Sequence, residues 1–254
     1  MDKNFPWSYK YDPKSKDPYI MSRSKIDLYL RCKRCAYLDM RLQIKGPKPF
    51  PYNLNSRIDT LLKNEFDVAR KNKEQTVYQK EANINAIPFS HPELDVWREP
   101  FKAARFHHKD TNIVIAGSVD DLWENLDTKK IHIVDYKSTH TDKFDMLKSF
   151  NAPYLIGYKR QAEIYSWILS KLGLEIDKTS YFFYVNAKPE QEIFDNSLEF
   201  EWAIIPYTTK DYNWVENIIV EIKNFLETNK IPSSSQDCDL CKYMSKFFDF
   251  IKKK

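Results

Sequence analysis

Two carboxylates and a lysine lie in two short segments that are otherwise apolar. Asp120 follows Ala116-Gly-Ser-Val, Asp135 follows Ile131-His-Ile-Val, and Lys137 comes two residues after Asp135. Side chains two apart on a strand point to the same face. Adjacent carboxylates repel unless a cation lies between them, and hard oxygen ligands suit Mg²⁺ or Mn²⁺. The segments predict a divalent-metal site beside an ammonium group, a combination suited to phosphodiester hydrolysis.

A further pair of polar side chains follows in the next helical segment. Gln161 and Tyr165 are four residues apart, so they share one helix face. With the two carboxylate segments they complete an ordered set of three motifs: Gly117-x-x-Asp120, Asp135-x-Lys137 and Gln161-x-x-x-Tyr165. The set resembles the core of the PD-(D/E)XK nuclease superfamily, in its RecB-like branch of AddB-type and CRISPR-associated exonucleases.

The resemblance implies a role for each motif residue. The catalytic metal would be held by Asp120, Asp135 and the backbone carbonyl of Tyr136. Lys137 would assist the attacking water. The residues expected to support the site and bind the DNA substrate are Gln161, Tyr165 and Arg160.

The RecB-like branch also has an upstream helix residue, usually His, that contributes to the metal site. At that place this chain has Asp59, an oxygen donor that suits Mg²⁺. Glu65 stays the alternative, because it lies on the apolar stripe of the same helix. His107 and His108 are further candidates, of which at most one could face the site, since neighbouring strand residues point to opposite faces.

Four cysteines form two Cys-x-x-Cys pairs, Cys32 with Cys35 and Cys238 with Cys241. In a cytoplasmic chain such pairs bind metal more often than they form disulfides. One shared site would staple the first helix to the C-terminal region. The resemblance implies a 4Fe-4S cluster. The relatives usually have one N-terminal and three C-terminal cysteines, whereas this chain has two and two, so Zn²⁺ stays the alternative.

Hydrophobic periodicity predicts the elements that position these residues. Helices are predicted over 24–42, 54–69, 158–172 and 211–229, and strands over 101–107, 113–121, 129–138, 180–186 and 198–205. The first three strands are expected to form one antiparallel meander, in which a hairpin brings Asp120 beside Asp135. Residues 75–100 and 141–156 are expected to be substrate-facing loops. The resemblance implies an α/β (α+β) fold with a restriction-endonuclease-like core, in which helices flank a central mixed β-sheet.

Length and composition set further bounds. The chain has 254 residues, 42% of them hydrophobic, with a net charge of +4. We expect an extended N-terminal arm over 1–21 and a single nuclease domain over 22–254. No signal-like segment and no run of about 18 apolar residues occurs, which favours a cytoplasmic protein without a membrane partner. With only four glycines, the chain is not expected to be a nucleotide-driven motor.

The predicted function is a metal-dependent deoxyribonuclease, an exonuclease that acts on DNA ends or single strands. Two other readings stay open. One is a restriction-type endonuclease, because the same core serves cleavage at internal sites. The other is a non-catalytic nucleic-acid-binding module with a structural metal, which would act within a larger protein complex.

Overall fold

The computed structural model describes residues 10–47, 50, 52–145 and 155–253. Its helices are α1 (Arg23–Arg31), α2 (Lys33–Leu42), α3 (Asn53–Asn72), α4 (Val77–Glu81), α5 (Leu94–Arg98), α6 (Ile156–Lys171), α7 (Trp214–Glu227) and α8 (Asp239–Lys252). Its strands are β1 (Tyr19–Ser22), β2 (Ala86–Pro88), β3 (Ala104–His108), β4 (Ile113–Gly117), β5 (Asp121–Asn125), β6 (Ile131–His140), β7 (Thr179–Ala187) and β8 (Phe200–Thr208). Part of the predicted 141–156 loop lies outside the described residues.

The chain divides into two compact units, each built from separate stretches of sequence. Unit 1 comprises Met1–Phe50, Arg105–Ala116 and Asn213–Lys254, and unit 2 comprises Pro51–Ala104 and Gly117–Tyr212. The single nuclease domain over 22–254 stays a prediction.

Unit 2 is built on a five-stranded mixed sheet in the order β2-β5-β6-β7-β8. Strands β5 and β6 are antiparallel, β6 and β7 are parallel, and β7 and β8 are antiparallel. A parallel pair needs a long crossover connection, which α6 supplies between β6 and β7. The predicted mixed sheet with flanking helices is confirmed.

Each face of this sheet is covered by apolar side chains. In α3, Leu62, Phe66 and Ala69 are buried at helical spacing, and the Phe66 ring stacks on Trp123 at 5.3 Å between centroids. A second cluster, to which α6 contributes Ala162, contains the β7 residues Phe182 and Tyr184. Strand β6 lies between β5 and β7 with six consecutive buried residues, as expected for a central strand.

Unit 1 combines a three-stranded sheet in the order β1-β4-β3 with helices α1, α2 and α7. The rings of Tyr29 and Tyr37 contact Phe225 of α7 at centroid distances of 4.9 and 5.6 Å. The Tyr37 hydroxyl also donates a hydrogen bond to the Thr228 carbonyl at 2.8 Å. These contacts hold the α1–α2 pair against the stretch that leads to the C-terminal cysteines.

The predicted meander is wrong, because its strands belong to two different sheets. β3 and β4 lie in the three-stranded sheet, whereas β5 and β6 lie in the five-stranded one. The predicted strand 113–121 is interrupted where Val119 N–H donates to the Trp97 carbonyl at 3.2 Å and the Ser118 hydroxyl donates to the Glu99 carbonyl. The hairpin that leads to Asp135 therefore uses β5, the strand after Asp120 instead of the strand before it.

Three further predictions need correction. The first predicted helix is broken at Cys32, whose φ of −156° and ψ of 107° are extended. Strand β1 lies within the predicted arm and pairs in parallel with β4. The C-terminal region, where no helix is predicted after residue 229, contains helix α8. Among the described residues, no helix has both the length and the apolar composition that crossing a membrane requires.

Candidate active site and cysteine cluster

Asp135 is buried in the middle of unit 2 and has two side-chain neighbours. Its Oδ2 atom forms an ion pair with Lys137, and its Oδ1 atom accepts a hydrogen bond of 2.6 Å from Gln161 Nε2. Burial raises the pKa of Asp135 to about 7; the Lys137 ammonium opposes this effect and the Asp120 carboxylate adds to it. Burial lowers the pKa of Lys137, but the carboxylates of Asp135 and Asp120 raise it by more, so Lys137 stays protonated.

Asp120 lies beside Asp135, immediately before β5. Its Oδ2 accepts a hydrogen bond of 2.9 Å from the Tyr136 backbone N–H, which holds the carboxylate against β6. Its Oδ1 lies 3.5 Å from Lys63 Nζ, and the same ammonium group lies 2.9 Å from Asp59 Oδ2. Burial and the nearby Asp120 charge raise the pKa of Asp59. Three carboxylates are therefore gathered around two lysines.

The sequence interpretation missed Lys63. A signal was present, because Lys63 follows Asp59 by four residues and therefore shares its face of α3. Ion pairs between helix residues four apart are common on protein surfaces. The Asp59–Lys63 pair differs from them only because Asp120 lies beside the same ammonium group.

The donor set fits a hard divalent cation. Asp120 and Asp135 supply adjacent carboxylate oxygens, the ligands that Mg²⁺ and Mn²⁺ prefer, and Asp59 is joined to Asp120 through Lys63. Asp135 Oδ2 is buried, and its partner is the Lys137 ammonium. A buried carboxylate with a second carboxylate beside it is stabilised by positive charge, which a divalent ion would add to that of Lys137.

A buried arginine–aspartate network lies behind the carboxylates. Asp121 is fully buried and forms ion pairs with Arg70 and with Arg98, the latter at 2.9 Å. The Tyr136 hydroxyl donates to the other Asp121 oxygen at 2.8 Å. Arg98 Nε also donates to the backbone carbonyl of Asp120 at 3.0 Å. The network links α3, α5 and β6, and it holds the backbone of Asp120.

Gln161 and Tyr165 lie on the face of α6 that looks toward β6. Both are buried, and Gln161 Nε2 lies 3.2 Å from the Tyr165 hydroxyl in addition to its bond with Asp135. A Cβ atom at Gly117 would come within 2.5 Å of Tyr165 Cε1. The glycine of the first motif is therefore required by the close approach of the Tyr165 ring to the backbone.

The remaining candidates lie elsewhere. Glu65 is exposed and accepts a hydrogen bond of 3.2 Å from the Tyr78 hydroxyl. His107 contacts Asn112 at 3.0 Å, and His108 lies between Thr111 and Glu216, all within unit 1. Arg160 precedes Gln161 on α6 and is half-buried. The partners of both histidines in these hydrogen bonds belong to unit 1, whereas Asp59, Asp120 and Asp135 belong to unit 2.

The four cysteines converge within unit 1. The sulfur of Cys35 lies 3.5 Å from those of Cys238 and Cys241, and Cys32 Sγ lies 3.9 Å from Cys241 Sγ. All four sulfurs lie within 4.8 Å of one another, and none forms a disulfide. This cluster could bind a metal, and it joins the N- and C-terminal regions as predicted.

Each cysteine pair begins a helix. Cys32 and Cys238 are the N-cap residues of α2 and α8, so Cys35 and Cys241 fall in the first turns. Burial raises the pKa of Cys32, but hydrogen bonds from the backbone N–H groups of Cys35 and Ser235 lower it by more. The net effect lowers the pKa of Cys32 to about 6. Helix N-termini favour thiolates, the form that binds metals, whereas burial raises the pKa of Cys35 and raises that of Cys241 to about 11. The Ser235 hydroxyl donates to the Arg31 carbonyl at 2.8 Å, which holds the second pair close to the first.

Comparison with known proteins agrees with this architecture. A family model of the PD-(D/E)XK nuclease superfamily matches residues 20–245. The chain therefore belongs to the PD-(D/E)XK nuclease superfamily, whose members are usually nucleases that hydrolyse phosphodiester bonds and typically use Mg²⁺ or Mn²⁺. The predicted superfamily is confirmed, and the RecB-like branch stays a prediction.

The other two comparisons add little to this assignment. The search of curated proteins finds no match. The solved structure described as "Crystal structure of SSO0001" is similar to the chain, with 14% identity and a TM-score of 0.34, over 87% of this chain and 82% of that one. At that TM-score, the likeness carries no argument about function.

Proposed function

We propose that this protein is an Mg²⁺- or Mn²⁺-dependent deoxyribonuclease of the RecB-like type, which acts on DNA ends or single strands. The observation that carries the proposal is the buried Asp135, held between Lys137 and Gln161 with Asp120 beside it. A buried acid with a raised pKa, a charged partner and a second carboxylate is typical of a functional site.

The residues that would hold the metal are Asp120, Asp135, the Tyr136 carbonyl and Asp59. When bound, the ion supplies a water of lowered pKa and stabilises negative charge on the phosphate. Asp59 is preferred to Glu65, because Asp59 shares Lys63 with Asp120 whereas Glu65 contacts Tyr78.

Lys137 would act as a hydrogen-bond donor in cleavage. Its ammonium stays protonated beside Asp135, and it lies over the Tyr158 ring at 4.8 Å from the centroid. An ammonium held in this way can orient the attacking water or stabilise the developing oxyanion. Lys137→Ala should abolish cleavage, whereas wild-type cutting by this variant would contradict the assignment.

Gln161 and Tyr165 would act mainly by positioning Asp135. Both side chains are buried, and the hydrogen bond from Gln161 fixes one Asp135 oxygen, which leaves the other oxygen directed at Lys137. The predicted contact with DNA is better suited to Arg160, which is only half-buried on the same helix.

The test is cleavage of end-labelled single-stranded, linear duplex and circular DNA with Mg²⁺ or Mn²⁺. We compare the wild type with Asp135→Ala and with Asp127→Ala as a surface control. Metal-dependent cutting of linear DNA that Asp135→Ala loses would support the proposal, while cut circles would indicate an endonuclease. No cutting of any substrate by the metal-loaded wild type would favour the non-catalytic binding module.

The distances between the four cysteine sulfurs indicate which metal the cysteine cluster would bind. A tetrahedral ion with metal–sulfur bonds of about 2.3 Å places its sulfurs about 3.8 Å apart. Three of the sulfur–sulfur separations are 3.5–3.9 Å and all lie within 4.8 Å, which is near that value, whereas a 4Fe-4S cubane holds each thiolate on a different iron, around a larger core. We therefore propose Zn²⁺ instead of the predicted cluster. Elemental analysis after anaerobic purification tests this, since stoichiometric iron with a visible absorption band would overturn it.

A further inference from the structure

Lys137 is held by two groups of different chemistry. Its ammonium group forms an ion pair with Asp135 and lies over the ring of Tyr158, 4.8 Å from the ring centroid. The Lys137 side chain is only 17% exposed, so little water solvates its charge. An ammonium group is attracted to the face of an aromatic ring, and the attraction is stronger where water is excluded. The ring of Tyr158 is therefore a second partner that can hold the ammonium in place.

The position of Tyr158 is set by α6 and by β7. Tyr158 precedes Gln161 by three residues and Tyr165 by seven, so the three side chains share one face of α6. Its ring lies 6.3 Å from that of Phe182, which is the register partner of Asp135 on β7. Tyr158 thus packs against the apolar cluster between α6 and β7, and this packing fixes its ring beside the lysine.

The two partners of Lys137 would respond differently to a bound cation. Asp135 Oδ1 accepts the hydrogen bond from Gln161, so a divalent ion on Oδ2 would compete with Lys137 for the same oxygen. The ion would also repel the ammonium, because the two charges have the same sign. The ring face of Tyr158 is uncharged and is not a ligand for hard cations, which take oxygen ligands. Its attraction for Lys137 therefore does not depend on a free Asp135 oxygen.

We propose that Tyr158 is a positioning residue for Lys137, whose ring face keeps the ammonium beside the carboxylates when Asp135 binds a divalent ion. The expected effect on cleavage rests on the proposed function, whereas the contact between ring and ammonium can be measured without cleavage. Because the ring makes the contact, phenylalanine should replace Tyr158 and leucine should not.

NMR spectroscopy of the full chain, labelled at the lysine ε carbons, tests the contact. An aromatic face shields the nuclei above it. With saturating Mg²⁺ the Lys137 Cε–Hε signal, identified by its absence in Lys137→Ala, should therefore lie upfield of an unshielded lysine. Tyr158→Phe should keep this shift and Tyr158→Leu should lose it. A Lys137 signal that Tyr158→Leu leaves unchanged in Mg²⁺ would overturn the proposal.

A ring of the same shape but altered charge separates attraction from packing. Trifluorophenylalanine at position 158 keeps the shape of phenylalanine, but its fluorines withdraw electrons from the ring face and weaken the attraction for a cation. Adding Mg²⁺ should move the Lys137 signal downfield in this protein and little in Tyr158→Phe. Equal changes in the two proteins would overturn the proposal, also where Tyr158→Leu does not fold.

Kinetics test whether the contact acts in cleavage. Tyr158→Leu should lower kcat about two- to thirtyfold with little change in KM, because the lysine would act on the chemical step. Tyr158→Phe should restore kcat to within about twofold of the wild type. A higher KM with unchanged kcat in Tyr158→Leu would mean that the ring binds substrate directly, which would overturn the positioning role.

Tyr207→Leu is the matched control. Tyr207 is half-buried against the same apolar cluster, and its ring lies 5.8 Å from the ammonium of Lys159 instead of that of Lys137. This variant should unfold at a lower urea concentration but keep the kcat and the Lys137 signal of the wild type. An equal loss of kcat in Tyr207→Leu and Tyr158→Leu would indicate a packing defect and overturn the proposal. A wild type that cuts no DNA would contradict the proposed function alone, because the NMR comparisons do not depend on cleavage.

Discussion

Lys63 places one ammonium group between two carboxylates of the candidate active site. Its Nζ atom lies 2.9 Å from Asp59 and 3.5 Å from Asp120, where a divalent ion would compete for the same oxygens. Because the competitor is a charge of the same sign, removing it should strengthen metal binding. Lys63→Gln should lower the dissociation constant for Mn²⁺ roughly two- to fivefold in calorimetric titration.

The matched control for this prediction is an exposed lysine on the same helix. Lys71→Gln removes the same charge from the same helix, at an exposed position away from the carboxylates. The Mn²⁺ affinity of this variant should therefore equal that of the wild type. Weaker Mn²⁺ binding by Lys63→Gln would mean that the lysine organises the ligands instead of competing for them.

Gln161 and Tyr165 offer a second prediction at the level of single residues. Gln161→Ala removes the hydrogen-bond donor to Asp135 Oδ1 and leaves a buried carboxylate oxygen unsatisfied, at a cost of about 1–3 kcal/mol. Tyr165→Phe removes only the 3.2 Å contact with Gln161. We expect kcat to fall at least about tenfold in Gln161→Ala and less in Tyr165→Phe. The reverse order would argue that Tyr165 acts on the substrate directly.

At the scale of elements, Gly117 sets how closely α6 approaches the backbone at the end of β4. A methyl group there would lie 2.5 Å from the Tyr165 ring, so Gly117→Ala should destabilise the protein by about 1–3 kcal/mol. Gly157→Ala is the control, because no atom lies within 4 Å of its Cβ position and alanine favours a helix. Urea unfolding should show a lower midpoint for the first variant and an equal or higher one for the second.

The Asp121 network links three elements, so its loss should have a large effect. Asp121→Asn removes the buried counter-charge of Arg70 and Arg98, which keep only their ion pairs with the half-exposed Asp67, so the loss should be about 2–4 kcal/mol. Asp127→Asn, which alters an exposed hydrogen bond to Asn85, should cost less than about 1 kcal/mol. If chemical denaturation gave equal losses for the two variants, Asp121 would not hold these elements together.

At the scale of the whole molecule, the cysteine cluster joins residues that lie about 200 positions apart in sequence. A metal that binds only the folded state stabilises it, so a chelator strong enough to remove the metal should lower the unfolding temperature. Hydrogen exchange should accelerate in α1, α2 and α7, which belong to the unit that contains the cluster. Unchanged exchange in unit 1 after verified metal loss would contradict a structural role.

The sequence by itself determined which residues form the two candidate sites. The spacing of Asp120, Asp135 and Lys137 could be interpreted because strand alternation is local, and two Cys-x-x-Cys pairs have few other uses. The long apolar periods of α3 and α6 likewise predicted helices near their observed bounds. These features follow from interactions within one segment of chain.

Tertiary structure alone decided the features that depend on distant partners. Ser118 and Val119 could not be recognised as a break between two sheets, because the carbonyl groups that bind them belong to residues about 20 positions earlier. Lys63 and Asp121 resemble ordinary charged residues until Asp120 and the two arginines are placed beside them. Long-range hydrogen bonds and ion pairs carry no local period, and they decide which acids line the candidate site and which lie behind it.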